Sequence, residues 1–285
     1  MSINNFIPAV WSAQILQNKH KNLVYGSVAN RDYEGEISAY GDRVKINSIG
    51  AINIGTYTKN TDITPPETLT GAQQELVIDQ AKYINFQIDD IDKVQQKPKV
   101  MAEATREAGY GLADAADRFI AGLYTGATAG NIIGNDTTPI VLTSPEQAYN
   151  HLVNLGVKLD EANVPKFGRW VIVPSWFHAL LLLDKRFTSS GNAGADQALY
   201  QGLVGQAAGF SVYMSNNVPS TDATTAFKIQ AGYSGTLSFA SQILDVEAYR
   251  PEKRFADALK GLNVYGAKLV RPSTMAVLVV NRFQG

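Results

Sequence analysis

The chain has no cysteine. That excludes disulfide staples, thiolate metal sites and cysteine nucleophiles. Its three histidines, His20, His151 and His178, lie far apart, and none sits in an H-E-x-x-H arrangement, so no metal site is expected. Charge of one sign is also lacking. The formal net charge is -1 over 285 residues, with no run of like charges, so nothing points to a surface that grips nucleic acid. No apolar run approaches the roughly 20 residues that span a bilayer, so no membrane partner is expected. The start, "MSINNFIPAVWS", lacks a charged region followed by an apolar one, so no signal peptide is expected and the protein should stay in the cytosol.

What is there is an ordinary globular composition, 45% hydrophobic and 18% charged, enough for one or two cores. "FIPAVWSAQILQN" can form a short helix after Pro8. In residues 41–89, Val44 and Ile46 alternate with charged residues. Further on, Leu76, Ile78, Ile84, Phe86 and Ile88 all fall on even positions, which predicts one strand with one apolar face. Between them the chain is rich in Thr and Asn and contains Pro65-Pro66. The expectation is a long antiparallel hairpin whose far end has too few apolar residues to pack on its own core.

"PKVMAEATREAGYGLADAADRFIAGLYTG" carries Met101, Ala104, Ala108, Leu112, Ala116, Phe119 and Leu123 at three- and four-residue steps. This predicts a helix over 98–125, about 40 Å long at 1.5 Å per residue. Pro98 suits its first turn and Gly126 its C-cap, while Gly109 and Gly111 weaken its middle. A second helix is expected over 144–159, opened by Ser144 and Pro145. "RWVIVP" reads as a buried strand and "SWFHALLLLD" as a helix. Strands dominate after residue 226. The order predicts an α+β chain of extended shape.

"GRWVIVPSWFHALLLLDKRF" places Ser175, His178 and Asp184 within ten positions, the three side-chain types of a hydrolase triad. A nucleophile elbow needs small neighbours around the serine. Here the neighbours are Pro174 and Trp176. Triad partners also normally come from separate elements. Ser175 is therefore expected to be a helix N-cap, and no catalytic residue or cofactor is assigned. "IDDIDK" (Asp89, Asp90, Asp92) lacks the glycine and distant glutamate of a calcium loop. "GLVGQAAGF" runs from helix to strand, the wrong order for a phosphate loop, and Gly209 reads as a helix C-cap. "YRPEKRF" holds Arg250, Glu252, Lys253 and Arg254, a solvated turn or a contact across a subunit boundary.

Several stretches in this order resemble the major capsid proteins of tailed bacteriophages with the Hong Kong 97-type fold. They are "FIPAVWSAQIL", "YEGEISAYGDRVKI", "LVIDQAKYINFQIDDIDKVQ", "LADAADRFIAGLY", "GRWVIVPSWFHALLL", "GFSVYMSNNVP" and "GLNVYGAKLVRPSTMAVLVV". The resemblance implies an N-terminal arm over 1–40 and an extended loop, the β-hairpin, over 41–89. It implies a peripheral domain of 90–139 and 246–285 built on spine helix 98–125, and an α/β axial domain over 140–245. It further implies a shell subunit, found in the virion and assembled in the host cytoplasm. That subunit would form pentamers and hexamers around double-stranded DNA without sequence-specific binding, with separate scaffolding and portal proteins. Lys59, Pro65, Pro66, Arg250, Glu252, Lys253 and Arg254 become candidates for inter-subunit contacts, and Gly109 and Gly111 for a bend in the spine. Lys59 and Asn60 lie near the arm's tip, but no crosslink is assigned to them. The alternatives are an encapsulin-like shell around protein cargo and, from another class, a serine hydrolase.

Overall fold

A computed structural model describes residues 24–32, 43–49, 54–60, 62, 65, 71–89, 100–184, 205–222 and 225–282. The short N-terminal helix, Pro98, Asp90 and Asp92 all fall outside them. The described strands form three sheets of two, three and six strands. The architecture is α+β, as the element pattern implied.

The arm is a hairpin. Strand β1 (Arg43–Ile49) pairs antiparallel with β2 (Gly71–Val77), from Arg43 opposite Val77 to Ile49 opposite Gly71. Its base is anchored by alternation. Val44, Ile46, Leu76 and Ile78 bury one cluster with Ala240 and Val264. The stripe of even positions is not one strand, however. The chain leaves extended pairing at Ile78–Asp79, and β3 (Gln80–Asp89) pairs along β10 (Ala256–Leu269) instead. A period of two identifies the apolar face but not the partner, so two strands facing the same way looked like one.

Strand β3 therefore belongs to a three-stranded sheet of order β3-β10-β9, with β9 spanning Leu237–Tyr249. The first two helices among the described residues are α1 (Tyr25–Val28) and α2 (Val100–Ala121). Helix α2 lies against this sheet, its 22 residues spanning about 33 Å. Leu112 packs with Val246 and Leu259. Ala116, Ile120 and Ala121 enter a larger cluster with Tyr25, Phe239 and Tyr265. The helix is shorter than expected at its end. Its final turn tightens into a 3-10 segment over Gly122–Gly126, so Gly126 is not an α-helical C-cap. It is continuous through Gly109 and Gly111.

The six-stranded sheet has the order β4-β11-β8-β5-β7-β6. The strands are β4 (Ile132–Ile133), β5 (Arg169–Val173), β6 (Gln206–Ala207), β7 (Phe210–Met214), β8 (Phe227–Tyr233) and β11 (Ala276–Val280). Helices α3 (Pro145–Glu161) and α4 (Ser175–Leu183) cover one face. Strands β5 and β11 are buried on both faces. Val171, Val173, Leu278 and Val280 meet the helices, while Trp170, Ile172, Val277 and Val279 meet the α2 cluster. Such strands read as continuous apolar runs. This explains why β11 sits between β4 and β8 rather than in the sheet of β9 and β10, where the block 246–285 had placed it. The expected boundary at residue 245 likewise falls inside one strand, β9.

Gly209 is no helix cap either. Ala207 pairs with Phe210, so Ala208-Gly209 is a two-residue hairpin turn, with φ of 50° and 81°. Two positive φ values are the signature of a type I′ turn, whose twist matches that of the strands.

Candidate assembly surfaces

The triad does not form. Pro174 is the N-cap of α4, and its carbonyl accepts the N–H groups of Phe177 and His178, each at 3.1 Å. Ser175 is the first helical residue and is exposed, so it is not the cap. The reason is that Pro174 already has the extended backbone a cap requires. His178 is half-buried, and burial pushes its imidazole below the usual value. Asp184 is fully buried at the opposite end of α4, about 13 Å along the axis from Ser175. Among the described residues no group of three acidic or imidazole side chains can hold a metal. A shallow concavity of about 270 Å³ lies on the three-stranded sheet, lined by Tyr83, Asn85, Glu247, Lys260 and Leu262. Its charged groups satisfy each other, with Lys260 Nζ 2.7 Å from Glu247 Oε2.

Strongly exposed apolar groups occur at two tips, and also at Phe167, Tyr83 and Leu183 elsewhere on the described surface. On the arm, Ile54 is 96% exposed and Tyr57 71%. Lys59 and Asn60 form a turn beside them, with Asn60 at φ 66°, and Pro65 is also exposed. Pro66 lies outside the described residues. The second tip joins β9 to β10. Glu252, Lys253 and Arg254 are exposed there, with Phe255 at 84%. Arg250 Nε lies 3.4 Å from Asp257 Oδ1, so that guanidinium is engaged by its own hairpin. The sequence reading selected Lys59, Pro65 and Pro66 at the first tip and the charged residues at the second, and passed over Ile54, Tyr57 and Phe255. Lone aromatics inside polar turns were the available signal.

Among the described residues the two tips expose apolar groups, and neither the triad nor a metal-holding group forms. A family model of phage capsid proteins matches residues 73–278. The chain belongs to the phage capsid protein family. The fold is shared with solved capsids along nearly the whole length. A Mycobacterium phage Che8 structure is 30% identical, covers 90% of each chain and superposes with a TM-score of 0.74. The capsid of cyanophage P-SCSP1u is 14% identical over 91% of this chain and 88% of its own, with a TM-score of 0.72. A virus-like particle from Pyrococcus furiosus shares the fold at 13% identity and a TM-score of 0.58, over 96% and 99% of the two chains. No curated protein sequence matches the chain. Family membership makes this a structural protein of the virion. No described helix is long and apolar enough to cross a membrane.

Proposed function

We propose that this capsid subunit assembles as pentamers and hexamers into a closed icosahedral shell around double-stranded DNA. Assembly would take place in the host cytoplasm with separate scaffolding and portal proteins. The observation that carries the reading is the arm. Its base is packed on β10, yet Ile54 and Tyr57 beyond that base are exposed and have no core to join. Residues 50–70 can extend up to roughly 30 Å past the base. In this reading the arm lies over the next subunit. The sheet β3-β10-β9 with α2 is the peripheral domain, and the six-stranded sheet with α3 and α4 is the axial domain. Helix α2 bends near Gly109–Gly111 when the shell expands. The near-neutral charge suits a genome that is confined rather than gripped.

The register makes the test clean. Ile49 faces Gly71, so residues 50–70 can be replaced by Asn-Gly, a two-residue hairpin turn. The variant should melt cooperatively, because the buried clusters are untouched, and should sediment as small species where the parent forms particles. Particles of parental size from this variant would overturn the role of the arm. A second reading, a shell around protein cargo, draws support from the fold shared with the Pyrococcus furiosus virus-like particle. Nuclease-protected double-stranded DNA in purified particles supports the first reading; protein cargo without DNA supports the second.

A further inference from the structure

The residues ahead of the arm form a short strap, Val24–Arg31, laid across elements that are distant in sequence. Tyr25 is fully buried in the cluster that also holds Phe239, Tyr265 and Ile120. The strap's far end pairs with β9. Asn30 donates its N–H to Leu237 O at 2.8 Å, and Phe239 donates to Asn30 O at 2.9 Å. Arg31 closes over it, with Nε 3.1 Å from Gly26 O and its guanidinium 5.5 Å from the Phe239 ring centre.

Its near end is held by a side chain from another element. Val24 occupies the N-cap of α1 and has no side-chain oxygen to offer. The missing acceptor comes from α2. Asp117 Oδ1 accepts the Tyr25 N–H at 2.7 Å, and the Val24 backbone also bonds to this carboxylate. Asp117 is 1% exposed. Its other oxygen accepts Asn217 Nδ2 at 3.0 Å. The same Nδ2 lies 2.8 Å from Asp114 Oδ1, and Asp114 pairs with Arg118 at 2.9 Å. Asn217 belongs to the turn that follows β7. That turn is tied to the six-stranded sheet by the Ser215 N–H on Val173 O at 3.0 Å. One carboxylate thus joins the strap, the long helix and the six-stranded sheet.

Three features weaken this docking. A buried carboxylate is retained only by the hydrogen bonds it accepts. The Tyr25 hydroxyl is buried with no hydrogen-bond partner among the described residues, which opposes docking. The strap also contributes few ladder bonds. Segments with these properties open locally before the core unfolds.

We infer that Val24–Arg31 is a releasable strap, and that the Asp117–Asn217 pair is the catch coupling its release to the placement of the six-stranded sheet on α2. The inference stands on the subunit alone and is independent of shell geometry. Releasing the strap strands Asp117 with Asn217 as its main remaining donor. Moving the sheet withdraws Asn217 and weakens the strap in turn, since coupling is reciprocal.

Hydrogen exchange on the unassembled full chain tests this. In the parent, the amides of Tyr25, Ala29, Asn30 and Phe239 should exchange together, and faster than those of β8 and β11. Asp117→Ala should accelerate these four by about tenfold or more without changing β8 or β11. Asn217→Ala, whose side-chain amide bonds to Asp114 and Asp117 on α2, should accelerate the same four amides, and it carries the test alone if the Asp117 variant does not fold. Tyr25→Phe should slow them by removing the unpartnered hydroxyl. Three results would each overturn the inference: strap exchange only at the rate of β8 and β11, no effect of Asn217→Ala on the strap, or acceleration by Tyr25→Phe.

Discussion

Gly266 lies against the carbonyl of Val77, where the arm's base crosses β10. A Cβ there would collide with that oxygen and stand 2.9 Å from Ile78 Cδ1. The close approach also lets Lys268 Nζ reach Glu75 O at 2.9 Å. Backbone cannot yield as a side-chain end can, so Gly266→Ala is expected to destabilise the subunit by about 2 kcal/mol. Gly261→Ala is the control, because its nearest neighbour is a side-chain atom, Ile84 Cγ1, at 3.2 Å. Urea midpoints should fall clearly further for Gly266. Equal losses would mean that the arm is not seated through this glycine.

Two aspartates should respond to pH with opposite sign. The hydrogen bond from Arg169, then the charges of Arg169 and Lys166, hold Asp160 below its usual 3.8. Its contribution is present above 3.8 and is lost as pH falls through the depressed folded value. Burial first, then the charge of Asp114, pushes Asp117 above 3.8, against the hydrogen bonds from Asn217, Tyr25 and Val24. The groups facing it are the Tyr25 phenol on the strap, Asn217 on the turn, and Asp114 with its partner Arg118 on α2. Its contribution is complete below 3.8 and is lost as pH rises through the raised folded value. Denaturant midpoints against pH should therefore lose their acid-side fall in Asp160→Asn and flatten just above 3.8 in Asp117→Asn. Matching slopes in the two variants would contradict this assignment.

Ala208 occupies the left-handed region at φ 50° in the β6–β7 turn. A side chain with a Cβ is strained there, and asparagine tolerates it best after glycine. Ala208→Asn is expected to stabilise the subunit by about 0.5–1 kcal/mol, read as a raised melting temperature. A lowered one would show that the turn is not type I′.

Gly111 sits mid-helix with open space where a Cβ would be, and it is exposed. Gly111→Ala should raise subunit stability by about 1 kcal/mol. If α2 must bend there, the variant's particles should assemble but expand poorly when followed by electron microscopy. Normal expansion would leave the glycine with no role in bending.

Much of the fold was legible because local patterns carry it. Leu112 and Ala116 at helical spacing marked α2, and Ser144-Pro145 marked the start of α3. "RWVIV" marked a strand covered on both faces. The exposed tips were half legible. The charge cluster of "YRPEKRF" drew attention, but that Arg250 is engaged by Asp257 depended on how β9 and β10 pair. The triad types of Ser175, His178 and Asp184 were already set aside from the sequence, and helical rise alone separates the first from the last.

The sequence by itself determined which faces are apolar and in what order the elements run, because side-chain period follows from backbone geometry. Placing the chain among phage capsid proteins rested on the resemblance of particular stretches, such as "LADAADRFIAGLY" and "GLNVYGAKLVRPSTMAVLVV", taken in order. Only the tertiary structure decided the partners. Ile78 and Ile84 share a parity, yet they fall on either side of a break between the arm and the three-stranded sheet. Gly209 turns a hairpin because Phe210 has Ala207 to pair with. Asp117 caps Tyr25 from 92 positions away. Such contacts depend on where whole elements pack, and a local pattern holds no record of what will lie opposite it.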